Sequence, residues 1–356
     1  MAPPADRVLV RPPPPAIRVR HLWHRFGNLQ VLRDVSFDVG AGEIFGFIGP
    51  NGAGKTTTIR VMATLLEPMA GRVEVDGIDV TIDPDSVRKR IGYMPDHAGV
   101  YERITVREYL EFFADAFRVP SLGVVDAVLE LTDLVKIQDR IVATMSKGMK
   151  QRLQLGRILL HDPKVLILDE PASDLDPRAR IEIRDLLLEL RDLGKTIFLS
   201  SHILTELADV CTSIGILEHG RLVVAGPIGE IASRLEAVRS AEAVGHAAPV
   251  MTGPSAPAVT AQGVATALPS QPIRKVKVRV IGPTPEASAA LLRGGPGILS
   301  AEVLGGVVLV SFVGTDEKIA EVVQHLVRNG VGVVGVEPER NELERIFLEV
   351  TRGEVQ

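Results

Sequence analysis

The residues best suited to chemistry lie at positions 49–56, where the sequence reads G-P-N-G-A-G-K-T. This run matches the phosphate-binding pattern G-x-x-x-x-G-K-[ST], in which successive backbone N–H groups form a concave nest for phosphate oxygens. Lys55 would contact the β- and γ-phosphates of a nucleotide, and the Thr56 hydroxyl would bind Mg²⁺. We therefore expect nucleotide contacts from Gly49, Pro50, Asn51, Gly52, Ala53, Gly54, Lys55, Thr56 and Thr57.

Two adjacent carboxylates offer a second piece of chemistry. Asp169 and Glu170 directly follow the apolar run V-L-I-L at residues 165–168. Ligands of parallel sheets bind outside the carboxyl ends of the strands, which is where this pair would lie. Asp169 could hold Mg²⁺ through water, and Glu170 could orient and deprotonate an attacking water. The alternative is a strand that simply runs into a helix cap, and the phosphate loop in the same chain argues against it.

Short apolar strands alternating with helical segments must position these residues. The run E-I-F-G-F-I at residues 43–48 leads into the phosphate loop, and residues 56–66 have a helical composition. Further strands are predicted at 165–168 and 195–200. This alternation is typical of an α/β fold with a parallel sheet covered on both faces.

The rest of the chain divides by composition. Residues 84–163 predict a mostly helical segment, with a capping box at Thr105 and Glu108. Residues 1–16 predict a disordered proline-rich tail, and residues 236–272 an Ala/Pro-rich linker. The order β-α-β-β-α-β within residues 273–356 resembles a small ferredoxin-like α+β domain. A short amphipathic helix should follow it, with one apolar face formed by Leu343, Ile346, Phe347 and Val350.

Composition limits the classes of function. The formal net charge is −5, from 40 Lys and Arg against 45 Asp and Glu, whereas a nucleic-acid partner requires a basic face. The single cysteine, Cys211, suits a reducing compartment and a place in the core. No apolar stretch approaches the length of a membrane span. We therefore expect a cytoplasmic protein without nucleic acid as a partner, which would need another chain to cross a membrane.

A third motif makes the pattern specific. Residues 145–153 read M-S-K-G-M-K-Q-R-L, and the chain continues with L-I-L-D-E-P, A-S-D-L-D-P and S-S-H. Together with the phosphate loop, in this order and spacing, these motifs resemble an ABC-type ATPase domain over roughly residues 17–235. The resemblance implies a P-loop NTPase fold with a helical subdomain at about 85–163. It also implies that ATP and Mg²⁺ are bound and that ATP is hydrolysed.

The resemblance assigns roles residue by residue. Glu170 would be the catalytic carboxylate, and His202 would contact the γ-phosphate and the attacking water. Phe26 would stack on adenine, with Trp23 as the alternative and a core position as the competing interpretation of Phe26. Two segments would serve the partner subunit: the signature segment, which is Ser146, Lys147, Gly148 and Met149, and the D-loop, which is Ser173, Asp174, Leu175 and Asp176.

This sequence departs from the family pattern at three positions. In the signature segment, Lys147 replaces a glycine and Met149 replaces a glutamine, and Lys147 would either add positive charge near the phosphate or reach solvent. Asp96 stands where the family has a glutamine that touches Mg²⁺ and the attacking water. A carboxylate suits that hard cation. We expect Asp96 to be a metal ligand and hydrolysis to survive with altered metal dependence.

The chemistry also implies partners. One chain cannot close its own site, so the resemblance implies a head-to-tail homodimer or heterodimer with two ATP molecules at the interface. Aromatic residues crowd into the segment after Asp96, where the family receives a coupling helix of the membrane subunit. Among them we expect Tyr101 in that contact, and Phe112 and Phe113 in the core of the helical segment.

Three functions remain open from the sequence. The layout and the additional C-terminal domain resemble the ATPases of type-2 exporters, which act through a separate integral-membrane permease from the inner face of the cell membrane. The alternatives are an importer ATPase with a regulatory C-terminal domain, and a non-transport ABC ATPase acting on DNA or ribosomes. The absence of a long coiled coil or a second ATPase domain disfavours the last of these.

Overall fold

A computed structural model describes residues 14–96, 99–119, 123–203, 210–243, 273–295, 297–304, 306–313 and 316–338. These residues form two compact units, 14–243 and 273–338. The predicted amphipathic helix around Leu343 lies outside the described residues, as do most of the predicted tail and of the predicted linker.

A six-stranded sheet forms the centre of the first unit. Its strand order is Arg221–Pro227 (β10), Ser213–Glu218 (β9), Ile44–Ile48 (β3), Thr196–Ser201 (β8), Val165–Leu168 (β7) and Ile91–Met94 (β6). The strands pair in parallel except β10, which is antiparallel to β9. This arrangement confirms the predicted α/β fold.

Both faces of the central sheet are covered, and the strands show it residue by residue. Along β7, Val165 and Ile167 enter one hydrophobic cluster, while Leu166 and Leu168 enter another. This period of two is what a strand buried on both faces requires. Cys211 is buried in the second of these clusters, in agreement with its predicted core position, and burial raises the pKa of its thiol.

An antiparallel sheet covers one of these faces. Its strand order is Leu29–Val39 (β2), Ile17–Phe26 (β1), Ala70–Val75 (β4) and Ile78–Asp79 (β5). Phe37 of β2 stacks on two rings of the central sheet, with centroid distances of 5.5 Å to Phe45 and 5.9 Å to Phe198. Aromatic contacts therefore join the two sheets into one core.

The helices of this unit pack around the central sheet. They are Lys55–Met62 (α1), Pro84–Arg88 (α2), Val106–Ala116 (α3), Gly123–Leu131 (α4), Lys147–Leu159 (α5), Pro177–Asp192 (α6) and Ile228–Ala243 (α7), with 3-10 turns at Val135–Ile137 and Val142–Thr144. The predicted capping box is confirmed: Thr105 Oγ1 accepts from Glu108 N at 3.2 Å, and Glu108 Oε2 accepts from Thr105 N at 2.7 Å.

One strand lies inside the stretch that we predicted to be helical. Residues 91–94 form β6, which pairs in parallel with β7 at the sheet edge. Gly92 permits this close pairing, because a Cβ there would lie 2.8 Å from Leu166 Cδ2. A run of four residues is too short for its periodicity to distinguish strand from helix, so the neighbouring strand decides.

The second unit confirms the predicted ferredoxin-like order. It runs Ile273–Ile281 (β11), Pro285–Leu292 (α8), Ile298–Leu304 (β12), Val307–Val313 (β13), Asp316–Arg328 (α9) and Gly332–Pro338 (β14). The sheet order is β12-β13-β11-β14, with antiparallel pairs throughout. Thr284 caps α8 by accepting from Ala287 N, with proline in the first turn as predicted.

Within the described ranges, no helix combines the length and the apolar composition that crossing a bilayer demands.

Candidate nucleotide site

The phosphate loop connects strand β3 to helix α1, and its glycines are required by the backbone. A Cβ on Gly49 would lie 2.2 Å from the Leu217 carbonyl oxygen, and one on Gly54 would lie 2.6 Å from Leu32 Cδ2. Gly52 and Gly54 have φ of 81° and 110°, in the region that favours glycine. Ala53 is buried, and Pro50 accepts a hydrogen bond from its N–H. The loop is therefore a compact turn whose backbone remains available to a ligand.

Lys55 is a buried cation at the start of α1. Its side chain is 6% exposed, and Nζ donates to the Gly49 carbonyl at 2.7 Å. The same Nζ lies 3.4 Å from Glu170 Oε1. Because a buried ammonium needs anionic or carbonyl partners, this lysine is held where phosphate oxygens could replace them.

Asp169 directly follows strand β7 in a buried position. It is 2% exposed, and its Oδ1 accepts from Ser200 Oγ at 2.6 Å. Burial raises the pKa of the Asp169 carboxyl, and the charges of Glu170 and Asp96 act in the same direction, against hydrogen bonds from Ser200 and Thr56. Such a carboxylate is suited to a nearby cation, which would replace the stabilisation lost on burial.

Glu170 has a backbone conformation that few non-glycine residues adopt, with φ of 51°. Its N–H donates to Ser200 Oγ at 3.0 Å, and its Oε2 lies 2.8 Å from His202 Nδ1. The structure thus brings Lys55, Glu170 and His202 together beside the phosphate loop. Ser200 Oγ binds both the Asp169 carboxylate and the backbone N–H of Glu170, a role that its place in the motif S-S-H did not predict.

Asp96 lies two residues beyond the end of β6, on the loop that follows this strand. Its charge contributes to the raised pKa of Asp169, which places the two carboxylates within electrostatic reach. Burial also raises the pKa of Tyr93 on β6, and the charge of Asp169 acts in the same direction, while Arg60 of α1 opposes both. Asp96 is therefore placed where it can act together with Asp169 and Thr56.

The two candidates for adenine stacking both lie at the end of strand β1. Phe26 is 49% exposed and Trp23 is 39% exposed. Phe26 contacts His24 in an edge-to-face geometry, with the ring centroids 4.7 Å apart. A core position does not leave half of a phenylalanine in solvent, so the exposure of Phe26 argues against the core interpretation.

The signature segment forms the start of helix α5. Ser146 is the N-cap, and its Oγ accepts from Met149 N at 3.3 Å. Lys147 Nζ pairs with Asp174 Oδ2 of the D-loop at 3.1 Å, so in this structure it binds within its own chain. A Cβ on Gly148 would lie 2.7 Å from Ala179 Cβ, so this glycine allows α5 to approach α6 closely.

The D-loop leads from Glu170 into helix α6. Ser173 N donates to the Glu170 carbonyl at 3.1 Å, and Asp176 Oδ1 caps α6 by accepting from Ala179 N at 2.9 Å. Leu175 is buried at 4% exposure, whereas Asp174 is exposed. Leu175 thus anchors the loop in the core while Asp174 reaches outward.

The prediction that Phe112 belongs to the core is wrong. Phe112 is 51% exposed, and so are Tyr101 at 55% and Phe117 at 42%. The rings of all three lie within 6.2 Å of the Phe113 ring, centroid to centroid. The buried face of α3 consists of Val106, Tyr109, Leu110, Ala114 and, partly buried, Phe113. Phe112 falls outside this i, i+3, i+4, i+7, i+8 stripe. Tyr101, Phe112 and Phe117 form what we term the aromatic patch.

Over the part of the chain that the structure describes, no group of three or more His, Cys, Asp or Glu side chains converges to hold a metal through protein groups alone.

Comparisons with known proteins agree with this geometry. The family model described as ABC transporter matches residues 32–173. The uncharacterized ABC transporter ATP-binding protein YhcH of Bacillus subtilis is 43% identical over 58% of this chain and 68% of its own length. The Nod factor export ATP-binding protein I of Rhizobium meliloti is 39% identical over 60% of this chain and 65% of its own length.

A solved structure gives the same result. The structure of an ATP-binding subunit of an ABC transporter superposes with a TM-score of 0.56 and 32% identity, covering 62% of this chain and 93% of that one. The residues that the family model matches include the phosphate loop, helix α5 and the carboxylate pair of Asp169 and Glu170. The chain therefore belongs to the family of ABC transporter ATP-binding proteins, and it is an ATP-hydrolysing enzyme.

Proposed function

We propose that this chain hydrolyses ATP to drive export through a separate integral-membrane permease. The observation that carries the proposal is the convergence of Lys55, Glu170 and His202 beside the phosphate loop. Phosphoryl transfer to water needs charge stabilisation at the phosphate and a group that orients the water. The printed name of the Rhizobium relative, a Nod factor export protein, supports export as the direction.

Different residues of one chain would bind ATP and promote its hydrolysis. The backbone of residues 49–54 would hold the phosphates of ATP, and Phe26 would stack on the adenine, with Trp23 as its neighbour. Lys55 would exchange the Gly49 carbonyl and Glu170 for phosphate oxygens. Glu170, oriented by His202, would then accept a proton from the water that attacks the γ-phosphate, and ADP and phosphate would leave.

Thr56 and Asp169 are the residues that fit a Mg²⁺ ion, with Asp96 as an additional ligand. Mg²⁺ is commonly bound by one or two carboxylates together with substrate phosphates. When bound, the ion would neutralise negative charge on the phosphates. The raised pKa of buried Asp169 supports this assignment, because a cation stabilises a carboxylate that burial destabilises.

The signature segment and the D-loop would act on ATP bound by a second ATPase subunit. Ser146 and Lys147 are exposed at the N-terminus of α5, where unpaired N–H groups favour an anion. The pairing of Lys147 with Asp174 holds the two segments side by side in one chain. A head-to-tail arrangement of two copies, or of this chain and a related one, would bring each pair of segments to the other subunit's phosphates.

The aromatic patch would receive the permease. Exposed aromatic residues are enriched in protein interfaces, and the three of the patch follow Asp96 within about twenty residues of the chain. A coupling helix docked there would reach the metal side of the nucleotide site. The enzyme would then lie at the inner face of the cell membrane, bound through the permease.

Purification from detergent-solubilised membranes tests this proposal. We expect an integral-membrane partner to copurify with the tagged full-length chain and ATP-dependent efflux in inverted vesicles to require both chains. Copurification of ribosomes or DNA without a membrane protein would instead support a non-transport ATPase. Uptake in the opposite direction would support the importer alternative.

A further inference from the structure

A buried glutamine connects the signature helix to the carboxylate loop. Gln151 lies on α5, two residues after Met149 of the signature segment, and is 9% exposed. Its side-chain Nε2 donates to the Pro171 carbonyl at 2.7 Å. Pro171 is buried and directly follows Glu170. The helix that begins with the signature segment is thus bonded to the residue next to the catalytic carboxylate.

The loop at Glu170 needs such support because its backbone is strained. Glu170 has φ of 51°, and conformations of this kind persist only where the surroundings over-determine them. Ser200 holds the Glu170 N–H from strand β8, and Ser173 closes the turn on the Glu170 carbonyl. The bond from Gln151 adds a restraint that comes from α5.

An uncharged donor suits this bond. Pro171 has no N–H of its own and offers only a carbonyl acceptor. A lysine at position 151 would bury a charge, and an ionised glutamate would place an oxygen against the carbonyl. An amide of the length of glutamine satisfies the buried acceptor without charge.

We propose that Gln151 is a positioning residue for Glu170 and transmits contacts of the signature segment to that carboxylate. The inference rests on the proposed function, because it requires the signature segment to meet ATP bound by the partner subunit. Each chain then senses one nucleotide with Ser146 and acts on the other with Glu170. Gln151 couples the two ATP sites of the dimer mechanically, through one rigid helix.

Loss of this bond should change catalysis and coupling but not nucleotide binding. In Gln151→Ala, we expect kcat to fall by about tenfold to a hundredfold, the usual effect of misplacing a catalytic group by a fraction of an ångström to 1 Å. The Kd of ATP should stay within about twofold of wild type, because the contacts that bind ground state and transition state equally are unchanged. The Hill coefficient for ATP should fall to one.

The isosteric variant Gln151→Glu distinguishes a positioning role of Gln151 from a purely structural one. In Gln151→Glu, the introduced carboxyl can donate to Pro171 only when protonated, and burial raises its pKa. The rate of this variant relative to wild type should therefore recover as pH is lowered, while the relative rate of Gln151→Ala should not change. Taking the ratio to wild type removes the pH dependence of the wild-type reaction.

The matched control is Gln154→Glu. Gln154 lies one turn further along α5 and is similarly buried, at 6% exposure. Each rate is divided by the fraction of the full-length variant that binds a fluorescent ATP analogue. Partial misfolding therefore does not affect the comparison of rates. We expect no pH-dependent recovery in this control.

Two results would overturn the inference. One is a Gln151→Ala enzyme with wild-type kcat and cooperativity; the other is a Gln151→Glu enzyme whose relative rate follows that of Gln154→Glu at every pH. A wild-type protein without ATP turnover would overturn the proposed function first, and the inference with it. Turnover in wild type separates that failure from a failure of Gln151 alone.

Discussion

At the residue scale, the carboxylate pair depends on one hydroxyl. Ser200 Oγ donates to Asp169 Oδ1 at 2.6 Å and accepts from Glu170 N at 3.0 Å. Ser200 is fully buried, so water cannot replace these bonds. The strain at Glu170 is therefore held by a residue that touches neither phosphate nor metal.

Ser200→Ala should impair catalysis more than ATP binding. We expect kcat to fall by about tenfold to a hundredfold, because the carboxylates lose their common restraint. Buried Ser213, whose Oγ donates to Glu43 Oε2 at 3.1 Å, allows the same substitution on strand β9 as a control. Steady-state kinetics of both variants check this, and equal losses in the two would argue against the role of Ser200.

Asp169 predicts a pH-dependent stability in the protein without nucleotide or metal. Because burial raises the folded-state pKa of Asp169 above its usual 3.8, the folded state holds this proton more tightly than the unfolded state. Its ionisation therefore costs stability above the folded pKa, and the cost disappears as pH falls to the unfolded value.

Asp169→Asn removes that ionisation. The variant should be more stable than wild type at neutral pH, and the difference should shrink as pH is lowered toward the ordinary aspartate range. Thermal unfolding in chelator, measured across this pH interval, checks the expectation. A variant less stable than wild type at neutral pH would contradict it.

At the element scale, the approach of helix α5 to helix α6 depends on Gly148. A Cβ there would lie 2.7 Å from Ala179 Cβ, closer than real Cβ atoms approach. The signature glycine thus has a packing role within its own chain, besides any phosphate contact. The two helices carry the signature segment and the D-loop, so their spacing sets how both face a partner.

Gly148→Ala should therefore destabilise the protein by about 1–3 kcal/mol through overpacking. Combining it with Ala179→Gly removes the clash, so the double variant should be less destabilised than the sum of the single variants. Denaturant unfolding of the three variants measures this coupling. Strict additivity would show that Gly148 and Ala179 do not constrain each other.

Much of the site was predictable because its signals are local. The phosphate loop follows from glycine spacing, and Asp169 and Glu170 follow from an apolar run that ends in two carboxylates. Ser200 and Gln151 were not predictable in their roles, because their partners are distant in sequence and are set by the strand order. Phe112 was misplaced for a related reason, since helix phase had to be judged against an unknown core.

The same division holds for the fold. The parallel sheet and the β-α-β-β-α-β unit follow from alternation and turn residues spread over many positions. Strand β6 did not, because four residues carry too little periodicity, and pairing with β7 decides their structure. For single residues and for whole elements alike, the features that the sequence did not predict depend on partners that are distant along the chain.

At the scale of the whole molecule, the proposed assembly separates hydrolysis from permease docking. The aromatic patch belongs to helix α3 and the residues that flank it, whereas the residues proposed to meet phosphate lie on the phosphate loop and directly after strands β7 and β8. Variants of the patch should therefore weaken the complex without disabling the ATPase.

Phe112→Ser tests that separation. We expect ATPase of the isolated subunit to remain within about twofold of wild type, since the side chain is solvent-exposed and outside the site. Copurification of the permease should fall strongly, because aromatic residues dominate interface energies. Leu193→Ser, at a residue 62% exposed at the end of α6, is the control and should leave copurification unchanged.

The central claim is that two ATPase subunits enclose ATP between the phosphate loop of one and the signature segment of the other. Glu170→Gln should slow hydrolysis and trap this state, so light scattering with Mg²⁺ and ATP should show a dimer. Lys55→Ala, which loses the buried cation of the phosphate loop, should remain monomeric. A Glu170→Gln protein that binds ATP and stays monomeric, alone and with its permease, would contradict the account.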